Sequence, residues 1–508
     1  MAQAGPGLAS PVSAAPASRR PGGRVLAAAA AVFGLALAAY AADVAGHPLR
    51  MTLTWFDLNI YNNAGLITRH AHAKAGLYTW QFVPGMKYLY TPFAALGFAA
   101  ASLLPWTALK WLMTAGSIAA MVVTAWLAFG QLGWRGRGRA AVTLGLSAMA
   151  LWTEPVLRSI QLGQIELVLM ALIAWDLCQP DGRRWKGIGI GIAAGIKLVP
   201  LLFIPYLLLA GKRRQAAVAA AAFAATVVIG FVILPHESAT FWLTGYFLHA
   251  GNFTNLSLGS WLNQSLRGLV IRTGVSASMV IPLWLAAAAL VAALGLTAAA
   301  LLARAGRPTA GWVTCALTGM LVSPISWDNH WVWIVPLLVI FADMALRARG
   351  PARWAYWAAT VALAAVFADW PADWTGRRAF VPHGLIGFFS HPHGRLVIFH
   401  LHGLQLITWN IFVVTGLVAL ALVAAAAAHT WRDRRGTGGL LSGRTGERAA
   451  GLSSQGRATM PAAVTARRAG GSGGAPGRQR FRRRGDDRAD GQAAGAADLA
   501  TRSGRAAR

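Results

Sequence analysis

Charge is what this sequence has least of. Of its 508 residues only 12% are charged and 56% are hydrophobic, whereas a soluble domain carries about 25% charged residues. An ordinary water-soluble globule is excluded on that ground. Acids are scarcer than bases, with 17 Asp and Glu against 46 Lys and Arg. Cysteine is nearly missing: Cys178 and Cys315 both lie on apolar segments, so no disulfide framework or zinc spacing follows. No Walker loop, no glycine-rich dinucleotide turn between strand and helix, and no serine-nucleophile elbow occurs.

What is present is a succession of apolar runs separated by short basic clusters. A bilayer core of ~30 Å needs about 20 apolar residues in a helix, and many runs approach that length. Their backbone groups must be bonded within the segment, which excludes open sheets. The ~10-residue alternating pattern of a β-barrel is missing. The expected fold class is therefore an all-α polytopic membrane protein. Its segments are read at 25–43, 91–104, 106–129, 140–153, 160–178, 187–210, 214–234, 277–303, 309–322, 331–347, 353–369 and 404–428. Segment 91–104 is short and is expected to lie in the interface or to dip partway.

The net charge of +29 would suggest nucleic acid, but its distribution argues for lipid headgroups and a cytoplasmic bias of basic loops. From Trp431 to Arg508 there are 17 Arg, no Lys and 6 acids. This Gly/Ala/Arg-rich stretch lacks apolar periodicity, and 429–508 is expected to be a disordered cytoplasmic tail. Residues 1–24, ending in Arg19, Arg20 and Arg24, are expected to be a disordered cytoplasmic N-terminus. An uncleaved first span after them is preferred to a signal peptide.

Charge bias raises one conflict. Arg183–Lys186 and Lys212–Arg214 flank the single apolar segment 187–210, so one straight crossing would put a basic cluster outside. A hairpin that turns near Lys197-Leu198-Val199-Pro200 resolves it, since Pro200 removes a helix hydrogen bond. The competing reading is a single proline-kinked helix with one misplaced cluster. With the hairpin, the stretches 44–90, 235–276, 323–330 and 370–403 fall on the outer side.

Ionisable and polar groups near such segments are costly and mark functional candidates. Asp57, in TWFDLNIYNNAG (54–65), stands just outside the first span, where a carboxylate can act as a general base on a hydroxyl. A helix cap or solvated charge is the plain alternative. Tyr61 and Tyr90, the latter in YLYTPFAAL (88–96), read as interfacial aromatics. Gln161, Gln164 and Glu166 cluster near one end of a span and need partners, either across a cavity or on a neighbouring helix. Gly187, Gly191 and Gly195, spaced by four, predict a small-residue packing face, with Lys197 as a cation at the apex. In GSWLNQSLRGLV (259–270), Asn263, Gln264 and Arg267 suit sugar hydroxyls and phosphates. In SPISWDNHWVW (323–333), Asp328 and His330 stand among three tryptophans. His383, His391, His393, His400 and His402 crowd one outer stretch, but no carboxylate or cysteine completes a site. No metal and no cofactor is expected.

Taken in order, FDLNIYNNAG, YLYTPFAAL, QLGQIELVLMALIAWDL, GIAAGIKLVPLLFIPYLLL, NQSLRGL and SPISWDNHWVW resemble glycosyltransferase family 87 over roughly residues 25 to 345. The resemblance implies a GT-C membrane fold of about 11–13 helices, short or re-entrant ones included, within a domain spanning 25–428. It implies a mannosyltransferase that uses a polyprenyl-phosphate sugar donor and a glycolipid or glycan acceptor at the outer face of the cell membrane. Asp57 matches the family's catalytic aspartate, and His330 matches the histidine after its tryptophan–aspartate pair. Lys197, Arg267 and His330 are then the candidates for holding the phosphate. Asn329 stands where a histidine is common, and Thr91 where a second proline is usual. An arabinose-dependent transferase or a glycan transporter remains the alternative. A transporter predicts internal repeats, and none is evident.

Overall fold

The computed structural model describes residues 23–46, 53–70, 76–83, 86–248, 258–369, 384–386 and 401–428. Nearly everything described is helical. The first ten α-helices are α1 (Gly23–Gly46), α2 (Phe56–Arg69), α3 (Pro92–Ala101), α4 (Trp106–Gln131), α5 (Gly136–Leu151), α6 (Glu154–Leu162), α7 (Glu166–Leu177), α8 (Ile188–Ile196), α9 (Phe203–Leu209) and α10 (Arg213–Ile233). The sole sheet among the described residues is a two-stranded hairpin, Gln81–Val83 against Met86–Lys87. Six helices are long and apolar enough to cross a membrane: Gly23–Ala45, Trp106–Gln131, Arg213–Ile233, Ala277–Arg304, Asp328–Arg347 and Ile411–Ala428. Leu35, Val232, Leu290 and Leu422 stand exposed on four of them. In water that would be a liability; against lipid tails it carries no penalty. The expectation of an all-α polytopic membrane fold holds.

One expected span is not a single helix. Segment 160–178 divides into α6 and α7, whose axes turn by 115°. Gly163 makes the turn, with φ +68°. The Gln164 N–H returns to the Ser159 carbonyl at 2.8 Å, the closing bond of a Schellman cap. A Cβ on Gly163 would sit 2.7 Å from Leu58 Cβ on α2, so glycine is needed for both dihedral and space. The apolar run looked continuous because both short helices are buried on nearly every side.

The hairpin expected at 187–210 is what the backbone does. α8 ends at extended Lys197, Pro200 lies in a 3₁₀ turn (Val199–Leu202), and α9 follows. Asp181 holds both feet. Its carboxylate takes Lys186 Nζ at 2.9 Å and Gln215 Nε2 at 3.0 Å, and it pairs with Lys212. α8 runs parallel to α10, with Gly187, Gly191 and Gly195 packed in turn against Gln215, Ala219 and Thr226. A Cβ at Gly191 would collide with the Ala219 carbonyl, so the four-residue glycine spacing is a packing face, as its spacing predicts.

Two large buried clusters, beside a small one at Ala298, Leu302 and Ala427, organise the described residues. The larger gathers α4, α7, the helix Pro308–Val322 and the tryptophans Trp312, Trp331, Trp333 and Trp409. The smaller joins Leu58 and Tyr61 of α2 to Leu77, Tyr78, Tyr88, Phe98 and Phe241. Ile165 and Ile196 pack against both, and the candidate site opens along that seam.

Candidate active site

The chain enters α2 through Trp55, the only non-glycine residue with positive φ (46°) among those described. Such a conformation costs about 1–3 kcal/mol and persists only where surroundings enforce it. Here the Trp55 N–H bonds the Gln161 carbonyl at 2.9 Å, and its indole Nε1 bonds Thr114 Oγ1 at 3.2 Å. The Lys110 ammonium stands 4.6 Å from the centre of its ring. The α6–α7 elbow thus grips the start of α2 two residues before Asp57.

The same elbow supplies the partner of Asp57. Gln164 Nε2 donates to Asp57 Oδ2 at 2.9 Å. The amide cannot be the other way round, because its Oε1 already accepts from Tyr90 Oη at 2.9 Å, from Ile165 N at 3.1 Å and from Tyr61 Oη. The two tyrosine oxygens also stand 2.7 Å apart, a contact neither can donate to while both protons go to Gln164. Asp57 Oδ1 has no hydrogen bond among the described residues. Burial pushes the Asp57 carboxyl up to about 6, while the Lys197 and Arg158 charges pull it back down. A carboxylate poised there is ionised at neutral pH yet close enough to neutrality to accept a proton.

Opposite stands a cationic group. Lys197, at the hairpin apex, pairs with Glu166 at the start of α7. Its Nζ lies 3.1 Å from His330 Nε2, which is 3.6 Å from Glu166 Oε1. The Trp327 backbone N–H points at His330 Nδ1, 3.3 Å away. Nδ1 is therefore an acceptor, and in the neutral ring the proton resides on Nε2. Arg158 bonds Asp328 Oδ2 and Gln161 Oε1, each at 3.0 Å, and ties the tryptophan-rich turn to α6.

These groups line one cavity of about 1210 Å³. Asp57, Tyr61, Tyr90 and Gln164 form part of its wall, and Lys197, Arg267, Asp328 and His330 another part. The rest of the lining includes Phe241, Phe247, Leu248, Ile281 and Trp284. A single drug-sized ligand needs ~300–1,000 Å³, so the cavity has room for more than one such group. Asn263 and Gln264 do not line it. Asn263 bonds the Leu258 carbonyl and the Ser326 N–H, both at 3.0 Å. Gln264 donates to the carbonyls of Trp261 and Trp409 at 2.7 and 2.8 Å. Their amides staple backbone, where the sequence reading had them facing sugar hydroxyls.

Sequence reasoning passed over Arg158 and Lys87, both of which line the cavity. Arg158 had a signal: a lone arginine opening an otherwise apolar run. Lys87 had none, since its place depends on the short hairpin. Of the histidines at 383, 391, 393, 400 and 402, only His402 lies within the described residues. Among those residues no group of three or more His, Cys, Asp or Glu could hold a metal ion, and both cysteines are free.

The family model for glycosyltransferase family 87 matches residues 88–324. The chain is similar to that family over just under half of its length. It is 30% identical over 203 residues to a polyprenol-phosphate-mannose-dependent alpha-(1-2)-phosphatidylinositol mannoside mannosyltransferase of Mycobacterium tuberculosis, covering 40% of this chain and 47% of the relative. It is 29% identical over 319 residues to the protein of that name from Mycolicibacterium smegmatis, covering 58% of this chain and 71% of the relative. A third relative, the phosphatidylinositol pentamannoside mannosyltransferase of M. smegmatis, is 32% identical over 278 residues, 54% of this chain and 65% of the relative. The chain thus spans about half the length of the first relative and about two thirds of the other two. No solved structure matches it significantly. With six apolar helices of spanning length, this chain is a multi-pass membrane protein.

Proposed function

We propose that this protein transfers mannose from a polyprenyl-phosphate donor to a hydroxyl of a lipid-linked mannoside, with Asp57 as the base. The observation that carries the reading is the placement of Asp57. It is the cavity carboxylate with an uncommitted oxygen, Oδ1, whereas Asp328 is paired with Arg158. The relatives are named for a polyprenol-phosphate-mannose donor and phosphatidylinositol mannoside acceptors, and the cavity has room for both head groups.

In the proposed step, Asp57 takes the proton of the acceptor hydroxyl as its oxygen attacks the anomeric carbon. The bond from that carbon to the phosphate oxygen breaks, and polyprenyl phosphate leaves from the opposite face. One displacement gives inversion. His330 lines the cavity with its Nε2 turned to Glu166 and Lys197, and it reaches a leaving phosphate oxygen only by leaving that carboxylate. No divalent ion is needed for a monophosphate leaving group held by cations.

The reading puts the reaction on the outer side. The feet of the 187–210 hairpin carry Lys186, Lys212 and Arg214, which the cytoplasmic bias of basic residues assigns to the inner face. Lys197 lies at the far end of α8, about 13 Å along the helix axis from the foot by its nine residues. The deciding experiment supplies labelled polyprenyl-phosphate mannose and phosphatidylinositol mannosides to membranes holding the wild-type protein or Asp57→Ala. Loss of the base is expected to lower the rate ~10²–10⁴-fold with the protein still in the membrane. Full transfer by Asp57→Ala would refute the reading.

A further inference from the structure

Sequence reasoning offers three cations to hold a phosphate, Lys197, Arg267 and His330, of which only His330 falls on a family motif position. The structure separates them. Lys197 is neutralised by Glu166, and His330 shares that carboxylate with it. Arg158, also on the cavity wall, is neutralised by Asp328. Arg267 is not neutralised. It makes no ion pair among the described residues, and its Nε is buried without a hydrogen-bond partner. Its guanidinium carbon rests 5.3 Å from the centre of the Trp284 ring, which holds the plane of the fork without engaging its donors.

A buried, unpaired guanidinium N–H is costly in a folded protein, and it is relieved when an anion arrives. The fork geometry favours two parallel bonds to a tetrahedral oxyanion. The surroundings say what that anion is attached to. Trp284 and Ile281, which line the cavity with Arg267, belong to the helix Ala277–Arg304. Ile281 is 41% exposed, on a helix that also exposes Leu283, Leu285, Leu290 and Leu294. Phe247 and Leu248, also in the lining, are exposed as well. An anion that arrives with an apolar chain finds its charge and its tail served by adjoining parts of one wall.

We propose that Arg267 is the anchor for the phosphate of the polyprenyl-phosphate donor, and that Lys197 is not. Lys197 instead belongs to a neutral Glu166–Lys197 pair that orients His330. The proposal rests on the mannosyl-transfer reading, and it deepens that reading by naming one binding residue.

The test measures initial rates with donor and acceptor varied separately, and inhibition by the product polyprenyl phosphate. Arg267→Gln is expected to raise the donor KM about 10- to 100-fold, the worth of a hydrogen-bonded charge. It should weaken product inhibition by the same factor and leave the acceptor KM within about twofold. Arg267→Lys is expected to recover part of the loss, since it restores charge without the fork. Thermal unfolding in detergent establishes that each variant is folded. Unchanged donor KM and product inhibition in folded Arg267→Gln would overturn the proposal. So would a rise confined to the acceptor KM, which would assign Arg267 to the phosphodiester of the acceptor lipid. If the wild-type protein transfers no sugar from polyprenyl-phosphate mannose, the transfer reading fails instead. In that case binding of polyprenyl phosphate alone, measured on wild type and Arg267→Gln, still decides whether Arg267 is a phosphate anchor.

Discussion

Gln164→Met removes one hydrogen bond from the proposed base while leaving most of its surroundings in place. The side chains are close in volume. Tyr61 and Tyr90, 2.7 Å apart, can still bond each other, which keeps one of their two O–H protons paired. Besides the bonds its Oε1 accepts from Ile165 N and the tyrosines, what disappears is the 2.9 Å bond from Gln164 Nε2 to Asp57 Oδ2, made to the charged form of the carboxyl. A hydrogen bond to a charged group is worth about 1.5–3 kcal/mol, and 1.36 kcal/mol corresponds to one pH unit. The Asp57 carboxyl, already raised by burial to about 6, should then titrate near about 7–8. The sign follows directly: the base must be ionised, so activity is lost as pH falls through this value, and the acid limb moves upward. At pH 7 a group titrating at 6 is about 90% ionised, one at 7 half ionised and one at 8 about a tenth. The rate at pH 7 is therefore expected to drop about two- to tenfold and to recover at pH 9. The assay is a pH–rate profile of labelled mannose transfer in proteoliposomes, with saturating donor and acceptor. A drop that persists undiminished at pH 9 would refute the electrostatic reasoning and leave Gln164 with a purely spatial role.

For the wild-type protein the same logic sets an acid limb near pH 6, and a profile flat down to pH 4.5 would contradict Asp57 as the base. Gly163→Ala is expected to cost about 1–3 kcal/mol of backbone strain plus a clash with Leu58, visible as a lower unfolding temperature together with reduced kcat. Arg272 is fully buried and bonds the Ser260 carbonyl (2.6 Å), the Asn263 carbonyl (3.0 Å) and Asn410 Oδ1 (3.1 Å from Nε). Arg272→Met strands these acceptors, and thermal denaturation in detergent should report a loss of about 3 kcal/mol. Sidedness can be read with a membrane-impermeant thiol reagent in a background lacking Cys178 and Cys315. Thr79→Cys is expected to label on intact cells, and Arg184→Cys only after the membrane is opened. The reverse pattern would place Asp57 on the wrong face.

Much of this arrangement is legible in the amino-acid order. The hairpin at 187–210 follows from two basic clusters that a single crossing could not reconcile, and Asp181 turns out to hold both feet. Asp57, Gln164, Lys197, Arg267 and His330 stand out because polar groups in apolar company need a reason, and the cavity brings them together. The elbow at Gly163 is hidden because hydropathy records burial and not direction, and both arms are equally buried. Asn263 and Gln264 mislead for a related cause. An amide beside a tryptophan looks the same whether it meets a sugar or a carbonyl, and the partners here, at Trp409 and Ser326, are remote in sequence. The pairing that neutralises Lys197 depends on Glu166, 31 positions away, and no local pattern announces it.

The fastening of both hairpin feet to Asp181 limits how this chain can tolerate insertion. A strap secured at each end cannot absorb an extra residue by sliding, so one residue added within α8 must be taken up as rotation. Each α-helical residue advances the azimuth by about 100°, which would swing the apical ammonium away from the Glu166 carboxylate and leave His330 facing an unbalanced anion. Length in this short arm is thus held as tightly as the identity of any side chain it carries.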